Sequence, residues 1–386
     1  MTAIESGDAR ALTRALVRVD SRNPTLVEGA PGESACAALL RDVLDSWGFR
    51  TELHDAAPGR PNLMARIGGA APGAGRTLMF NGHLDVVGVE GMVHPPFAAD
   101  ERDGRLYGRG SADMKGGVAA MCAAAWRAAQ SGVAGEIIVA AVADEEYESL
   151  GTRALLARGV RADACVVTEP TRLSIMPAHR GFVWLEVEIT GRAAHGSRWD
   201  LGVDAIRHAG LLLAELDAYD ADVLPTRTHP LLGRGSLHAS LIEGGIGMST
   251  YPDRCVLKLE RRTIPGESAA DAMDEVRRAC ERIRARRATF TADVRLLVTQ
   301  GPSDVAVTSP LVQGLDAALR AGGERVTVEG MSAWTDAALL NDAGIPAVCF
   351  GPGDISLAHA AEEYIPLDEI DRATTVLASF ASRWCA

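Results

Sequence analysis

Two apolar runs constrain the fold more than any other feature of the chain. Residues 136 to 143 read Glu-Ile-Ile-Val-Ala-Ala-Val-Ala, and residues 164 to 168 read Ala-Cys-Val-Val-Thr. Neither alternates apolar with polar, so neither suits a strand with one wet face. Both suit strands of a sheet covered on its two sides. Each run delivers carboxylates at its end: Asp144, Glu145 and Glu146 after the first, Glu169 after the second. A third run, residues 77 to 80, leads to His83 and Asp85. Residues 63 to 67 form a further strand, set apart from 77 to 80 by a Gly/Pro-rich hairpin region. Helical periodicity appears at 8 to 20, where Leu12, Ala15, Leu16 and Val19 share a face, at 32 to 47, and in the alanine-rich stretch 116 to 129. Strands alternating with helices, with polar groups gathered at strand ends, predict an α/β sheet with its site at the strand termini.

The pattern changes near residue 180. Val183, Leu185, Val187 and Ile189 alternate with Trp184, Glu186 and Glu188, which predicts a strand with one solvated face. A helix is expected at 202 to 217, strands at 236 to 242 and 255 to 263, a helix at 267 to 286 and a strand at 288 to 298. This βαββαβ order predicts a small ferredoxin-like α+β domain. From about 308 the α/β pattern resumes, with helices at 309 to 321 and 334 to 343 and a strand at 347 to 350. The expected division is therefore 1–178 with 299–386 as one domain, and 179–298 as an insertion.

Composition narrows the partners. A formal charge of -12 and a pI near 5.3 argue against nucleic acid. No apolar run approaches the roughly 20 residues of a membrane span. Residues 1 to 8 lack the basic and apolar regions of a secretory signal, so none is expected. The seven cysteines are scattered and form no CxxC pair, a spacing that suits reduced thiols in a cytoplasm.

The chemistry-bearing residues recur at the ends of the predicted strands. His83 and Asp85 are two apart and share a strand face, so Asp85 is placed to hold the second ring nitrogen of His83. The glycine-dense stretch 106 to 117 can turn tightly enough to bring Asp113 back towards His83. Glu145, Glu146, Glu169 and His359 complete the group. Each has an ordinary alternative as a solvated loop residue. Together the histidines and carboxylates make a mixed nitrogen/oxygen set that suits two divalent ions sharing a carboxylate.

Five motifs carry a resemblance. They are residues 82–85 (Gly-His-Leu-Asp), 108–117 (Gly-Arg-Gly-Ser-Ala-Asp-Met-Lys-Gly-Gly), 144–146 (Asp-Glu-Glu), 168–170 (Thr-Glu-Pro), and 351–353 (Gly-Pro-Gly) with His359. In them the chain resembles the dizinc amidohydrolases that include acetylornithine deacetylase, succinyl-diaminopimelate desuccinylase, aminoacylase and the glutamate-releasing carboxypeptidases. The resemblance spans nearly the whole chain. It implies a zinc-peptidase-like mixed sheet with helices on both faces and an inserted lid that dimerises. It also implies two divalent ions, zinc in the first place, with cobalt or manganese as alternatives. His83 and Glu169 would hold one and Glu146 and His359 the other, with Asp113 bridging. A cis Asp113–Met114 peptide is a further implication, as is Glu145 in the role of general base.

In the inserted segment the resemblance makes His195 the lid histidine that reaches the opposite subunit's site, and Arg262 the partner of a substrate carboxylate. On pattern alone His195 could be a loop histidine and Arg262 a surface charge. Many relatives carry Asn-x-x-Pro after the paired glycines 244 and 245, whereas this chain has Ser249-Thr-Tyr-Pro252. Ser249 is thus a candidate substrate contact with a shorter side chain. Trp334 and Asp336 are candidates for shaping the pocket, with core and capping roles equally open. The implied activity is hydrolysis of an N-acyl amino acid bearing a free carboxylate, by a cytoplasmic homodimer. The alternatives are a dipeptidase or carboxypeptidase of the same family, or a non-catalytic binder of metal or an amino-acid conjugate.

Overall fold

The computed structural model describes residues 4–69 and 75–386, in two units. The first comprises residues up to Pro177 together with Val305–Glu329 and Thr335–Ala386; the second comprises Ala178–Asp304 and Gly330–Trp334.

The first unit is built on a mixed sheet. Six of its nine strands run in the order Arg50–Ala57, Arg60–Gly68, Glu136–Val142, Leu78–His83, Ala164–Val167 and Ala347–Cys349. The first three pair antiparallel, and the contacts from Glu136–Val142 through to Ala347–Cys349 are parallel. Every residue of Leu78–His83 and Ala164–Val167 is buried, as both-sided cover requires. One group of helices, Ala9–Val17, Gly116–Gln130 and Leu367–Trp384, packs together, and another, Leu150–Ala157 and Ala337–Asp342, forms a second contact. The alanine-rich helix suits this crowding. A Cβ on Gly117 would lie 2.0 Å from the carbonyl oxygen of Thr168, so only glycine lets the helix come this close to the strand end that carries Glu169.

Two expectations change in detail. Residues 63–67 and 77–80 do not pair across a hairpin, because each lies on a different side of Glu136–Val142. Part of their connection, residues 70–74, is outside the described residues. The first helix ends at Val17 rather than 20, and the carbonyl of Val19 instead accepts from the buried Lys115 ammonium at 2.8 Å. The sequence pattern also gave no warning of helix Leu367–Trp384 or of the small sheet formed by Asp100–Arg102, Arg105–Tyr107 and Tyr364–Pro366.

The second unit is the ferredoxin-like α+β arrangement. Strands Ser236–Gly244, Arg254–Thr263, Gly181–Thr190 and Thr291–Gln300 lie side by side in that order, all antiparallel. Helices Ala205–Asp222 and Ala269–Arg286 bury Leu212, Val276 and Ile283 against Val183, Leu185, Val187 and Ile189. Ser268 and Asp271 close the start of the second helix with a reciprocal capping box. All seven cysteines of the chain are buried and unpaired. Among the described residues no helix is long and apolar enough to cross a membrane.

Candidate metal centre

The strand ends and loops of the first unit bring the expected histidines and carboxylates into one cluster. His83, at the end of its strand, has Nε2 3.1 Å from Asp113 Oδ1 and 3.9 Å from Glu145 Oε2. His359 lies on the other side, with Nε2 3.0 Å from Glu146 Oε2 and 3.6 Å from Asp113 Oδ2. The two oxygens of Asp113 therefore face two different histidines. Donor atoms of His83, Glu145 and Glu169 lie within 4.8 Å of one another, and so do those of His83, Asp113 and Glu146. The Asp113–Met114 peptide is cis, as the resemblance implied.

The role of Asp85 differs from the simplest expectation. It is the Asp85 main-chain carbonyl, 2.8 Å away, that accepts from Nδ1–H of His83. The carboxylate oxygen nearest that nitrogen is 3.8 Å away. A carbonyl can only accept, so Nδ1 carries the proton and Nε2 presents its other valence to Asp113. The Asp85 carboxylate accepts instead from the backbone N–H of Glu145 at 3.1 Å and of Glu146 at 3.2 Å. It thus fixes the main chain from which both glutamates project. Being neighbours, they then diverge: Glu145 towards His83 and Glu169, Glu146 towards His359.

Asn23, Glu33 and Arg60 complete this support, and motif reading did not single them out. The Asn23 amide donates to Asp85 at 2.9 Å and to Asp144 at 3.0 Å. Arg60 forks onto Glu33 at 2.6 and 2.5 Å and donates to Asp144 at 3.0 Å. Asp144 has φ +66° and its carbonyl accepts from Ser149 N at 2.6 Å, so it shapes the turn that presents Glu145 and Glu146. The available signal was positional: Asn23 precedes a proline, and Arg60 heads the strand next to the one that carries the glutamates. Glu33 and Asp144 are wholly buried. Arg60→Met should cost about 3–5 kcal/mol in urea unfolding, because it leaves Glu33 buried without its partner. A loss below about 1 kcal/mol, the scale of a surface pair, would contradict this.

The cluster is rich in negative charge. Burial pushes the Glu145 and Glu169 carboxyls well above the usual carboxylate range; the nearby Glu169 adds to the rise at Glu145, and Asp113 to that at Glu169. The hydrogen bond to Glu146 raises His359 to about 9, against the effect of burial. Burial likewise opposes protonation of His83, yet contact with Asp113 lifts it well above its ordinary value. Oxygen and imidazole donors that converge so closely need positive charge among them, and the donor set fits divalent cations.

Of the remaining candidates, Ser249, His195, Arg262 and Trp334 lie in the second unit. Thr250 forms a β-bridge with His195, and the Ser249 carbonyl accepts from Gly196 N at 2.7 Å, so Ser249 and His195 sit on adjoining loops. His195 is exposed, with Nδ1 2.9 Å from Ser197 Oγ. Arg262 donates to Glu260 at 2.5 Å and stands 5.4 Å over the Phe182 ring. Trp334 packs edge-on to His179 and Phe182, a core role. In the first unit Asp336 is buried and accepts from Thr152 Oγ1 at 2.5 Å.

The sequence profile of peptidase family M20/M25/M40 matches residues 79–383. An acetylornithine deacetylase of Myxococcus xanthus is 33% identical over 357 residues, covering 89% of this chain and 90% of its own. An N-formyl-4-amino-5-aminomethyl-2-methylpyrimidine deformylase of Bacillus subtilis is 28% identical, with 90% and 88% covered. In fold the chain is similar to a dinuclear metal-binding peptidase of Bacillus subtilis, with a TM-score of 0.75 at 17% identity and with 98% and 97% covered. With the profile spanning most of its length and a third of its residues shared with a deacetylase, the chain belongs to peptidase family M20/M25/M40 and is a metal-dependent hydrolase.

Proposed function

We propose that the protein hydrolyses the amide bond of an N-acyl amino acid with the help of two divalent cations, zinc in the first place. His83 and Glu169 would hold one, Glu146 and His359 the other, and Asp113 both. The observation that carries this reading is the placement of the two Asp113 oxygens, each facing a different histidine. When bound, such ions acidify water and polarise the amide carbonyl. Glu145 is nearly buried, its carboxyl is raised by burial, and its carboxylate reaches into the same cluster. It would take the proton from the attacking water and pass one to the departing nitrogen, as a base tuned towards neutral pH can. Asp85 supports this by holding the Glu145 and Glu146 main chain in place.

Similarity to the acetylornithine deacetylase supports an acylated amino acid as the substrate class. A peptidase reading is favoured by the family itself, so dipeptides form the second class. Arg262 is the proposed partner of the substrate carboxylate, with Ser249 a further contact. Because Arg262 is already paired with Glu260, a substrate carboxylate has to compete with that side chain. The test is a panel of N-acetyl, N-formyl and N-succinyl amino acids, matched esters without the carboxylate, and dipeptides, assayed for free amine. Turnover confined to carboxylate-bearing N-acyl amino acids supports the reading; turnover confined to dipeptides replaces it with the second.

A homodimer through the second unit is part of the proposal. The strand Ser236–Gly244 is an edge of its sheet, with Leu241 62% and Ile242 57% exposed, a feature that invites pairing with another chain. His195 would then stabilise charge on the carbonyl oxygen in the partner's site. Mixing an inactive Glu145→Gln chain with an inactive His195→Ala chain should restore part of the activity. Verified mixed dimers that stay inactive would rule out action across the subunits. The unpaired cysteines support a reducing, cytoplasmic setting.

A further inference from the structure

The glycine-rich loop that carries Asp113 is held by one buried side chain, and this points to a role for Glu363. Glu363 is wholly buried and lies four positions beyond His359, next to the short strand Tyr364–Pro366. Its Oε1 accepts from the backbone N–H of Ala112 at 3.0 Å and of Asp113 at 3.1 Å. Its Oε2 accepts from Gly110 N at 3.1 Å and from Arg109 Nη1 at 2.7 Å. Its main-chain carbonyl accepts from Gly108 N at 3.2 Å. One carboxylate here supplies acceptors for three backbone N–H groups, those of Gly110, Ala112 and Asp113. Arg109 is itself anchored by Nε to the Gly88 carbonyl at 2.9 Å, which holds the fork in position.

We infer that Glu363 is a positioning residue for the metal pair: it locks the main chain of Asp113 and ties it to the segment that carries His359. Asp113 and His359 come from distant parts of the chain, and their side chains lie 3.6 Å apart. Between them, Glu363 is the element that fixes one relative to the other. The inference rests on the proposed metal ligands. Loss of such outer support typically weakens metal binding by about 10–100-fold.

Glu363→Gln is the sharpest probe because it keeps the volume and replaces one acceptor oxygen by an NH2 donor. One of the two donor pairs, Ala112 with Asp113 or Gly110 with Arg109, would then face another donor. The measurement is a Co2+ titration of the metal-free protein, followed by visible absorption, beside circular dichroism and thermal unfolding. A folded Glu363→Gln chain should bind at least one Co2+ about 10-fold or more weakly than wild type, with an altered absorption envelope. Glu363→Asp, which keeps all acceptor sites on a shorter arm, should recover part of the affinity. Glu362→Gln, at the exposed neighbouring position, should leave it unchanged. Arg109→Lys, which keeps the charge and gives up the fork, should shift affinity in the same direction, and it decides the matter if Glu363→Gln does not fold. Wild-type affinity and spectrum in a folded Glu363→Gln chain, or failing that in Arg109→Lys, would overturn the inference. A wild-type chain that takes up no Co2+ pair would instead overturn the metal reading beneath it.

Discussion

Glu145→Gln should lower kcat by at least about 10²-fold, the low end of general acid–base contributions, while the protein keeps its full complement of metal. Gln has nearly the shape of Glu and leaves the backbone N–H of residue 145 free to donate to Asp85, so the turn should persist. What disappears is the carboxylate 3.9 Å from His83 Nε2 that can accept a proton. Because its pKa is raised by burial, the base should lose effectiveness as pH falls through a value well above the usual carboxylate range. An acid limb in kcat that is absent from Glu145→Gln would connect the group to the rate. Metal analysis distinguishes the base from a ligand, since Glu145 also converges with His83 and Glu169. If the variant loses an ion and retains the rate per remaining ion, Glu145 and Glu146 have exchanged roles.

The sheet, the insertion and the cluster were legible for different reasons. Apolar runs such as 137–143 announce buried strands, and residues just past the end of such strands in an α/β sheet gather at one edge. Glu145, Glu169 and His83 are therefore grouped by the sequence pattern itself. The alternation from Val183 to Ile189 marked the second unit, because a sheet covered on one face leaves that period in the sequence. His359 and Asp113 had no such periodicity. Asp113 adjoins a cis peptide and His359 has φ +61°; the glycines of 106–117 pointed to the first, and only the motifs gave either a role. The supporting side chains left only a faint positional trace at Asn23 and Arg60, and their contacts left none. Asn23, Glu33, Arg60 and Glu363 act through contacts across 27 to 254 positions of sequence, and no local pattern records those. Asp85 shows the same limit on a small scale. Its spacing from His83 was informative, but whether its carbonyl or its carboxylate would meet the ring depended on the backbone N–H groups of residues 145 and 146.

Removal of metal should abolish turnover, and this is the largest effect expected. Asp113, Glu145, Glu146 and Glu169 gather around His83 and His359, and their own protons are a poor substitute for the positive charge that such a cluster calls for. The side chains of this cluster are almost all acceptors. On their own they can take a proton from water, but they offer little to the charge that builds on the carbonyl oxygen. The decisive measurement is therefore a paired one: chelate the protein, confirm its fold by circular dichroism, then follow activity and bound metal together as Zn2+, Co2+ or Mn2+ is returned. The expected result is no measurable hydrolysis in the chelated chain, and full activity restored only as occupancy approaches two ions per chain. Hydrolysis at the native rate by a chain shown to be free of metal would contradict the account.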